Sequence, residues 1–263
     1  MKAVGQYLQD VRASAPLVHN ITNFVAMDIM ANTLLALGAS PAMVHARNEV
    51  REFAGLAQAL TVNVGTVDAE WAVAMEDAAD AMHGNGRPWV LDPVGVGATR
   101  FRTDLCGRLL AFKPTVVRGN ASEILVLAGD SVRAGGMDSR DLVSDAEAAA
   151  VALAKQTGGV VIATGEVDYA TDGVRAYRVA NGHPWMSRVT AMGCGLTGVI
   201  AAFLVEQQAA LEASVAALAC YGVAGEDAAR QSAGPGTFRV AFIDALHGMT
   251  ASDLDSNARI TPA

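Results

Sequence analysis

A cysteine in the stretch 189–197 stands where it could act on a bound anion. Small and polar residues run to Gly193 and mostly apolar residues follow, so the sequence predicts a tight turn at Gly193 and a buried helix from about Cys194. The first amides of a helix lack partners within it and lie at the positive end of its dipole, which makes a site for phosphate. The same field favours a thiolate, so Cys194 could be a base or a nucleophile there. A turn that leads into a core helix, with Cys194 as a buried apolar residue, explains the stretch equally well.

Further polar residues follow short apolar stretches elsewhere in the chain. Together they could supply what phosphoryl transfer needs, because carboxylates can hold Mg²⁺ and an arginine can clamp phosphate oxygens. Each also has a simpler explanation: Asp92 could form a turn before Pro93, Glu123 could be a carboxylate in the first turn of a helix, where the helix dipole favours it, and Arg118 could be a solvated charge. The chain has no Walker lysine motif, which excludes a P-loop enzyme. The candidate residues are Asn20, Asn23, Asp92, Arg118, Asn120, Glu123 and Thr164.

The elements that must position these residues alternate along the chain up to residue 165. Short, fully apolar strands that alternate with helices predict a parallel sheet covered by helices on both faces. The carboxyl ends of such strands share one edge of the sheet, where ligands bind. The predicted strands are at about 17–18, 42–44, 60–66, 88–93, 115–117 and 160–163, and the predicted helices at about 4–13, 24–37, 49–60, 68–83 and 145–156.

The remaining segments predict a smaller set of features. A glycine-spaced loop covers 94–98, a turn region covers 129–136, and 168–179 reads as a β-hairpin that adds antiparallel strands at one edge. Only helices follow Cys194, and the polar C-terminal residues are expected to fray. No repeat or linker interrupts the chain, so we expect one domain over 1–263. The late helices are predicted at about 194–207, 211–231 and 238–249.

Composition narrows the classes of partner. A formal net charge of −8 over 263 residues argues against nucleic acid, although local amides and a metal can still bind a nucleotide. The three cysteines form no CxxC or Cys/His cluster, which is typical of the reducing cytoplasm. No apolar run reaches the length of a membrane span, and the N-terminus shows no cleavage signal. The sequence therefore predicts a soluble cytoplasmic protein without a membrane partner.

Five motifs over about residues 15–205 resemble, in order and spacing, those of the hydroxyethylthiazole kinase family. The resemblance implies a ribokinase-like three-layer α/β/α sandwich. It also implies ATP- and Mg²⁺-dependent phosphorylation of the primary alcohol of 4-methyl-5-(2-hydroxyethyl)thiazole, in thiamine salvage, by a homotrimer with sites between subunits. The motifs are His19-Asn20-Ile21-Thr22-Asn23, Val90-Leu91-Asp92-Pro93-Val94-Gly95, Arg118-Gly119-Asn120-Ala121-Ser122-Glu123, Thr164-Gly165 and Thr190-Ala191-Met192-Gly193-Cys194.

The resemblance also implies roles for individual residues. Cys194 stands where the wider superfamily usually has an aspartate base. The family loop often reads Thr-Gly-x-Gly-Cys, whereas this chain has Ala191, whose methyl group narrows the choice of backbone conformation. The other implied roles are thiazole binding by Asn23, Met43 and Ala191, with Gly65 and Thr66 from a neighbouring subunit; ATP binding by Arg118, Asn120, Thr164 and Gly193; and magnesium binding by Asp92 and Glu123.

Two other classes of function stay open on the sequence. The first is a thiol hydrolase or acyltransferase that uses Cys194 as nucleophile and His19 as base. That hypothesis leaves Arg118, Asp92 and Glu123 unexplained. The second is a non-catalytic nucleotide-binding relative that keeps the fold, against which the retained metal and base positions argue.

Overall fold

A nine-stranded sheet forms the centre of the computed structural model, which describes residues 2–129 and 139–263. The strand order is β2-β1-β3-β4-β5-β6-β7-β8-β9. Neighbouring strands from β2 to β6 run parallel, and β7, β8 and β9 are antiparallel at one edge. The strands are β1 Leu17–Ile21, β2 Ser40–Ala42, β3 Ala59–Asn63, β4 Trp89–Asp92, β5 Val116–Asn120, β6 Val160–Thr164, β7 Asp168–Thr171, β8 Ala176–Val179 and β9 Ile260–Pro262.

Helices cover both faces of the sheet, as the alternation of elements predicted. Buried apolar side chains form one cluster with α1, α2 and α8–α11 and a second cluster with α3–α7 on the opposite face. The helices are α1 Val4–Ser14, α2 Met27–Leu37, α3 Val50–Leu56, α4 Ala69–Gly84, α5 Arg100–Leu110, α6 Ala121–Leu127, α7 Ser139–Thr157, α8 Met192–Leu204, α9 Ala210–Arg230, α10 Pro235–Gly248 and α11 Ala251–Asn257. The predicted α/β fold with a mostly parallel sheet is confirmed.

Helix α8 is the element that carries the predicted cysteine site. It is buried along almost its whole length and packs between α2 and α9 against β1, β3 and β4. The polar N-terminal end of this apolar helix therefore lies near the carboxyl ends of the central strands. Within the described ranges, no helix is both long and apolar enough to cross a membrane.

Several sequence-based boundaries were wrong. Helix α5 was not predicted, and β2 and α3 are displaced or shorter than expected. The C-terminal residues are not frayed, because α11 has a capping box at Thr250 and Asp253 and β9 pairs with β8. The predicted turn at 129–136 lies outside the described residues, apart from Gly129.

Candidate active site

Four strands direct polar side chains toward α8 at their carboxyl ends. Side chains alternate between the two faces of a strand, and Val90 on β4 packs in the apolar cluster that contains α8. Asp92, two residues later, therefore faces α8. The same alternation directs Asn63 on β3, Arg118 on β5 and Thr164 on β6 to that side. The parallel register, which pairs Asn63 with Asp92, brings these side chains to one edge.

The carboxylate of Asp92 is fully buried at this edge. Its Oδ2 accepts hydrogen bonds from Asn63 Nδ2 at 2.7 Å and from Thr197 Oγ1 at 2.9 Å. Its Oδ1 has no hydrogen-bond partner and lies 3.8 Å from Arg118 Nη1. Burial raises the pKa of Asp92 to about 6, although the Arg118 charge opposes that shift. One oxygen of this buried carboxylate is thus free to bind a cation.

The Arg118 guanidinium lies between the sheet edge and the start of α8. Its Nη2 donates to Thr164 Oγ1 at 2.8 Å, and the Thr164 hydroxyl donates in turn to the Gly119 carbonyl at 3.1 Å. A Cβ atom at Gly193 would lie 2.9 Å from Arg118 Nη1, so a larger residue at this position would displace the guanidinium. Three of the four predicted ATP-binding residues therefore meet here.

A cavity of about 890 Å³ opens at this place, with Arg118, Thr164 and Gly193 in its lining. Apolar side chains such as Met186 and Leu218 also line it. This volume and mixture of apolar walls with a few polar groups are typical of a small-molecule site. The fourth predicted ATP residue, Asn120, is not part of the lining.

The thiol of Cys194 is half-buried in the first turn of α8. Its Sγ accepts hydrogen bonds from Asn23 Nδ2 at 3.4 Å and Asn63 Nδ2 at 3.3 Å. Burial, reinforced by the charge of Asp92, raises the pKa of Cys194 to about 11. This direction is opposite to the lowered pKa that the start of a helix favours, because burial disfavours the charged thiolate.

The tight turn before α8 lies at Ala191 and not at Gly193. Ala191 adopts the left-handed conformation with φ 61°, and the helix begins at Met192, two residues before the predicted start. The first amide with a partner inside the helix is that of Gly195, which donates to the Ala191 carbonyl at 2.9 Å. The amides of 192–194 precede it, as an anion site at a helix N-terminus requires.

Asn120 and Glu123 form a capping box at the start of α6. Asn120 Oδ1 accepts from the Glu123 amide at 3.0 Å, and Glu123 Oε2 accepts from the Asn120 amide at 2.9 Å. The other Glu123 oxygen accepts from the Gly95 amide at 3.0 Å. Glu123 thus lies in the first turn of α6, as its simpler explanation predicted, and the ligand roles of both residues stay predictions. Among the described residues, no three His, Cys, Asp or Glu side chains are grouped to hold a metal ion.

Two of the predicted thiazole-binding residues, Asn23 and Gly65, lie close together, and Asn23 contacts Cys194. A Cβ atom at Gly65 would lie 3.1 Å from the Asn23 side chain of the same chain. Thr66 has φ 51°, and its hydroxyl oxygen accepts from the Phe24 amide at 3.1 Å. Met43 is half-buried against the same apolar cluster as Cys194. Thiazole binding by these residues, with Gly65 and Thr66 contributed by a neighbouring subunit, stays a prediction.

His19 is not placed as a base for Cys194. Its ring is fully buried, its Nε2 bonds the Val44 carbonyl at 2.6 Å, and it packs edge-on to Phe53. Burial lowers the pKa of His19 to about 4. Because alternation directs His19 to the face opposite α8, the hydrolase hypothesis lacks its histidine.

Sequence reasoning missed two residues of this network, Asn63 and Thr197. Each is fully buried and donates to the Asp92 carboxylate. Their positions in the sequence could have identified them. Asn63 is the last residue of its strand, as Asp92 is of the next strand, and Thr197 follows Cys194 by about one helical turn.

Comparisons with known proteins agree with this geometry. Residues 8–252 match a model of the hydroxyethylthiazole kinase family. A Cereibacter sphaeroides protein named hydroxyethylthiazole kinase is 58% identical over 263 residues, all of both chains. A Rhizobium leguminosarum protein of the same name is 53% identical over 98% of this chain and 97% of its own.

Two solved structures of kinases also match this chain. The structure of a hydroxyethylthiazole kinase protein from Pyrococcus horikoshii matches with a TM-score of 0.92 and 38% identity over the whole of both chains. The pyridoxal kinase from Staphylococcus aureus, in complex with AMP-PCP and pyridoxal, matches with a TM-score of 0.61 and 18% identity over 81% of this chain and 88% of that one. The second match supports the fold alone, which is that of ribokinase-like kinases.

Proposed function

The chain belongs to the hydroxyethylthiazole kinase family, and from this we propose that it transfers a phosphoryl group from ATP to the hydroxyl of 4-methyl-5-(2-hydroxyethyl)thiazole. The observation that carries the proposal is the meeting of Arg118, Asp92 and Cys194 at the N-terminus of α8. Phosphoryl transfer needs positioning and electrostatic stabilisation more than covalent chemistry, and these groups supply both. A thiazole monophosphate for thiamine synthesis would be the product.

ATP would bind in the cavity beside Arg118. The guanidinium can clamp phosphate oxygens, and its Nε, which is buried without a hydrogen-bond partner, remains available as a further donor. Thr164 holds the guanidinium from the sheet side. The free amides at the start of α8, including that of Gly193, would face the transferred group and stabilise its developing charge.

Asp92 and Glu123 would hold Mg²⁺ together with phosphate oxygens and water. The unpartnered Oδ1 of Asp92 fits this role, and Mg²⁺ ordinarily takes only one or two carboxylates from the protein in such sites. Bound there, Mg²⁺ would neutralise charge on the phosphates and on Asp92. Both Glu123 oxygens accept backbone hydrogen bonds, which leaves lone pairs for a water of the ion but fixes the side chain in place.

Cys194 would assist removal of the proton from the substrate hydroxyl. In a loose transition state the hydroxyl proton leaves late, so a weak base is sufficient. The two amide groups of Asn23 and Asn63 donate to Sγ and would stabilise negative charge there. A covalent phosphocysteine is not part of this proposal.

A homotrimer in the cytoplasm would complete the thiazole site. Phe24 and Val25, next to Asn23, are 63% and 57% exposed, and their apolar side chains suit cover by a second copy of the chain. The three cysteines are free thiols, as expected in a reducing compartment. Sedimentation showing a fully active 27.1 kDa monomer would contradict the shared site.

Product analysis tests the proposed reaction against the other classes. Incubation with ATP, Mg²⁺ and the thiazole alcohol should give ADP and a phosphate ester of the alcohol in equal amounts. A thiol hydrolase or acyltransferase would leave ATP and the alcohol unchanged but, given an activated ester without ATP, would form an acyl-enzyme on Cys194 and release the leaving group; a binding protein would do neither. Either of these results would contradict the proposal.

A further inference from the structure

We propose that Asn63 is a positioning residue for phosphoryl transfer, which holds the Cys194 thiol in place relative to the Asp92 carboxylate. The inference deepens the proposed kinase function and rests on it. Asn63 ends β3, is fully buried, and belongs to none of the motifs that pointed to the reaction.

The Asn63 amide uses both of its ends. Its Nδ2 donates to Asp92 Oδ2 at 2.7 Å and to Cys194 Sγ at 3.3 Å. Its Oδ1 accepts from Asn23 Nδ2 at 3.0 Å and from the Gly65 amide at 2.9 Å. One side chain therefore joins the proposed cation ligand, the proposed base and the proposed thiazole side of the site.

The orientation of this amide follows from its partners. A backbone N–H can only donate, so the Gly65 amide must face the oxygen of Asn63 and leave Nδ2 toward Asp92 and Cys194. The Val25 amide donates to Asn23 Oδ1 at 3.1 Å and fixes the Asn23 amide in the same way. Both NH₂ groups therefore point at Sγ, which occupies a position built for a hydrogen-bond acceptor.

This arrangement determines where the thiol proton can go. Because the two amides occupy the inner side of Sγ as donors, the S–H bond is directed away from them. Loss of the Asn63 amide would free the sulfur to turn and would leave Asp92 Oδ2 with Thr197 as its one remaining hydrogen-bond donor. A misplacement of about 1 Å in reacting groups can lower a rate by about 100-fold.

A matched pair of variants, Asn63→Ala and Thr61→Val, separates positioning from stability. Thr61 lies on the same strand and the same face, is also fully buried, and donates from Oγ1 to Asn20 Oδ1 at 2.9 Å. Its hydrogen bonds in the structure do not include Asp92 or Cys194. Asn63→Ala removes four hydrogen bonds and Thr61→Val removes the buried bond to Asn20, but only Asn63→Ala removes the link between Asp92 and Cys194.

Steady-state kinetics give the first readout. Asn63→Ala should lower kcat by at least about tenfold with KM for ATP and the alcohol within about threefold, whereas Thr61→Val should keep kcat within about twofold. An unchanged kcat in Asn63→Ala, an effect on KM alone, or an equal loss in Thr61→Val would overturn the proposal. If Asn63→Ala does not fold, the nearly isosteric Asn63→Leu fills the same space without a donor or an acceptor and should show the same loss of kcat.

Alkylation of Cys194 by iodoacetamide, followed by mass spectrometry, gives a readout that needs no turnover. Cys106 and Cys220 are fully buried and should react far more slowly. Asn63 lies on the buried side of Sγ, so its truncation leaves the approach of the reagent unchanged and removes a donor that stabilises the thiolate. Alkylation should be severalfold slower in Asn63→Ala and unchanged in Thr61→Val. Equal rates in all three proteins would overturn the inference, whereas a wild type without turnover would contradict only the proposed function.

Discussion

Arg118 offsets the charge of a carboxylate that has no access to water, and its replacement should destabilise the protein in a pH-dependent way. In Arg118→Met, Asp92 loses the nearby cation, which lies 3.8 Å away, and Thr164 loses its donor. Removal of one partner of a buried ion pair typically costs about 3–5 kcal/mol. Because the separation exceeds that of a direct hydrogen bond, we expect about 2–3 kcal/mol at pH 8, or a fall in Tm of about 4–12 °C.

The sign of the pH dependence follows from the raised pKa of Asp92. Its pKa of about 6 in the folded protein exceeds the value of about 3.9 expected in the unfolded chain. The folded state therefore binds the proton more tightly, and the stability from Asp92 is greatest below about pH 4 and is lost as the pH rises through 6. Arg118→Met raises this pKa further, so the free energy of unfolding of the variant should continue to fall above pH 6. At pH 5, where Asp92 is mostly protonated, the substitution should cost only about 1 kcal/mol.

Urea unfolding in metal-free buffer at pH 5 and pH 8 measures this difference. Arg108→Met is the control, because the Arg108–Glu76 pair is 49% and 28% exposed and should contribute less than about 1 kcal/mol at either pH. The double variant Arg118→Met/Asp92→Asn should recover most of the stability at pH 8. A pH-independent loss, or no recovery in the double variant, would show that Arg118 does not stabilise the protein by offsetting the charge of Asp92.

Three further expectations concern the same site. Cys194→Asp should retain turnover, because two amide donors already face that position. Cys194→Ser should lower kcat with little change in KM for the alcohol. Equal inactivity of both variants, when both are folded, would argue against a base at position 194. Asp92→Ala should lose activity because it binds Mg²⁺ less well, while a thermal melt shows that the variant is folded. Wild-type activity of this variant at low Mg²⁺ concentration would exclude a role of Asp92 in metal binding. Ala191→Gly should not destabilise the protein. Glycine relieves about 1–2 kcal/mol of strain from the left-handed conformation, and this gain roughly offsets the greater conformational entropy of glycine in the unfolded chain. A loss of more than about 1 kcal/mol in denaturant unfolding would contradict the φ of 61°.

The fold was largely predictable because its signals are local. Short apolar strands alternate with helices, and that pattern requires parallel strands covered on both faces. The carboxyl-end positions of Asp92, Arg118 and Thr164 follow from it. By contrast, β9 pairs with β8 across about 80 residues of chain, and a short polar segment gives no local sign of such a partner.

The chemistry of the site was less predictable because it depends on burial. The position of Cys194 at a helix start was evident, but the rise in its pKa comes from the packing around it and from the charge of Asp92 on a distant strand. Asn63 looked like one polar residue in an apolar run. Its role becomes visible only when the register places it beside Asp92.

The selectivity of the wild-type enzyme for its acceptor alcohol distinguishes a thiazole kinase from a kinase for another alcohol. Initial rates with ATP and Mg²⁺ should be measured for the thiazole alcohol, pyridoxal and a hydroxymethylpyrimidine under identical conditions. We expect kcat/KM for the thiazole alcohol to exceed that for either other alcohol by at least about tenfold, as differential binding in a matched pocket allows. ATP turnover that does not depend on the thiazole alcohol, or a preference for pyridoxal or the pyrimidine, would contradict it.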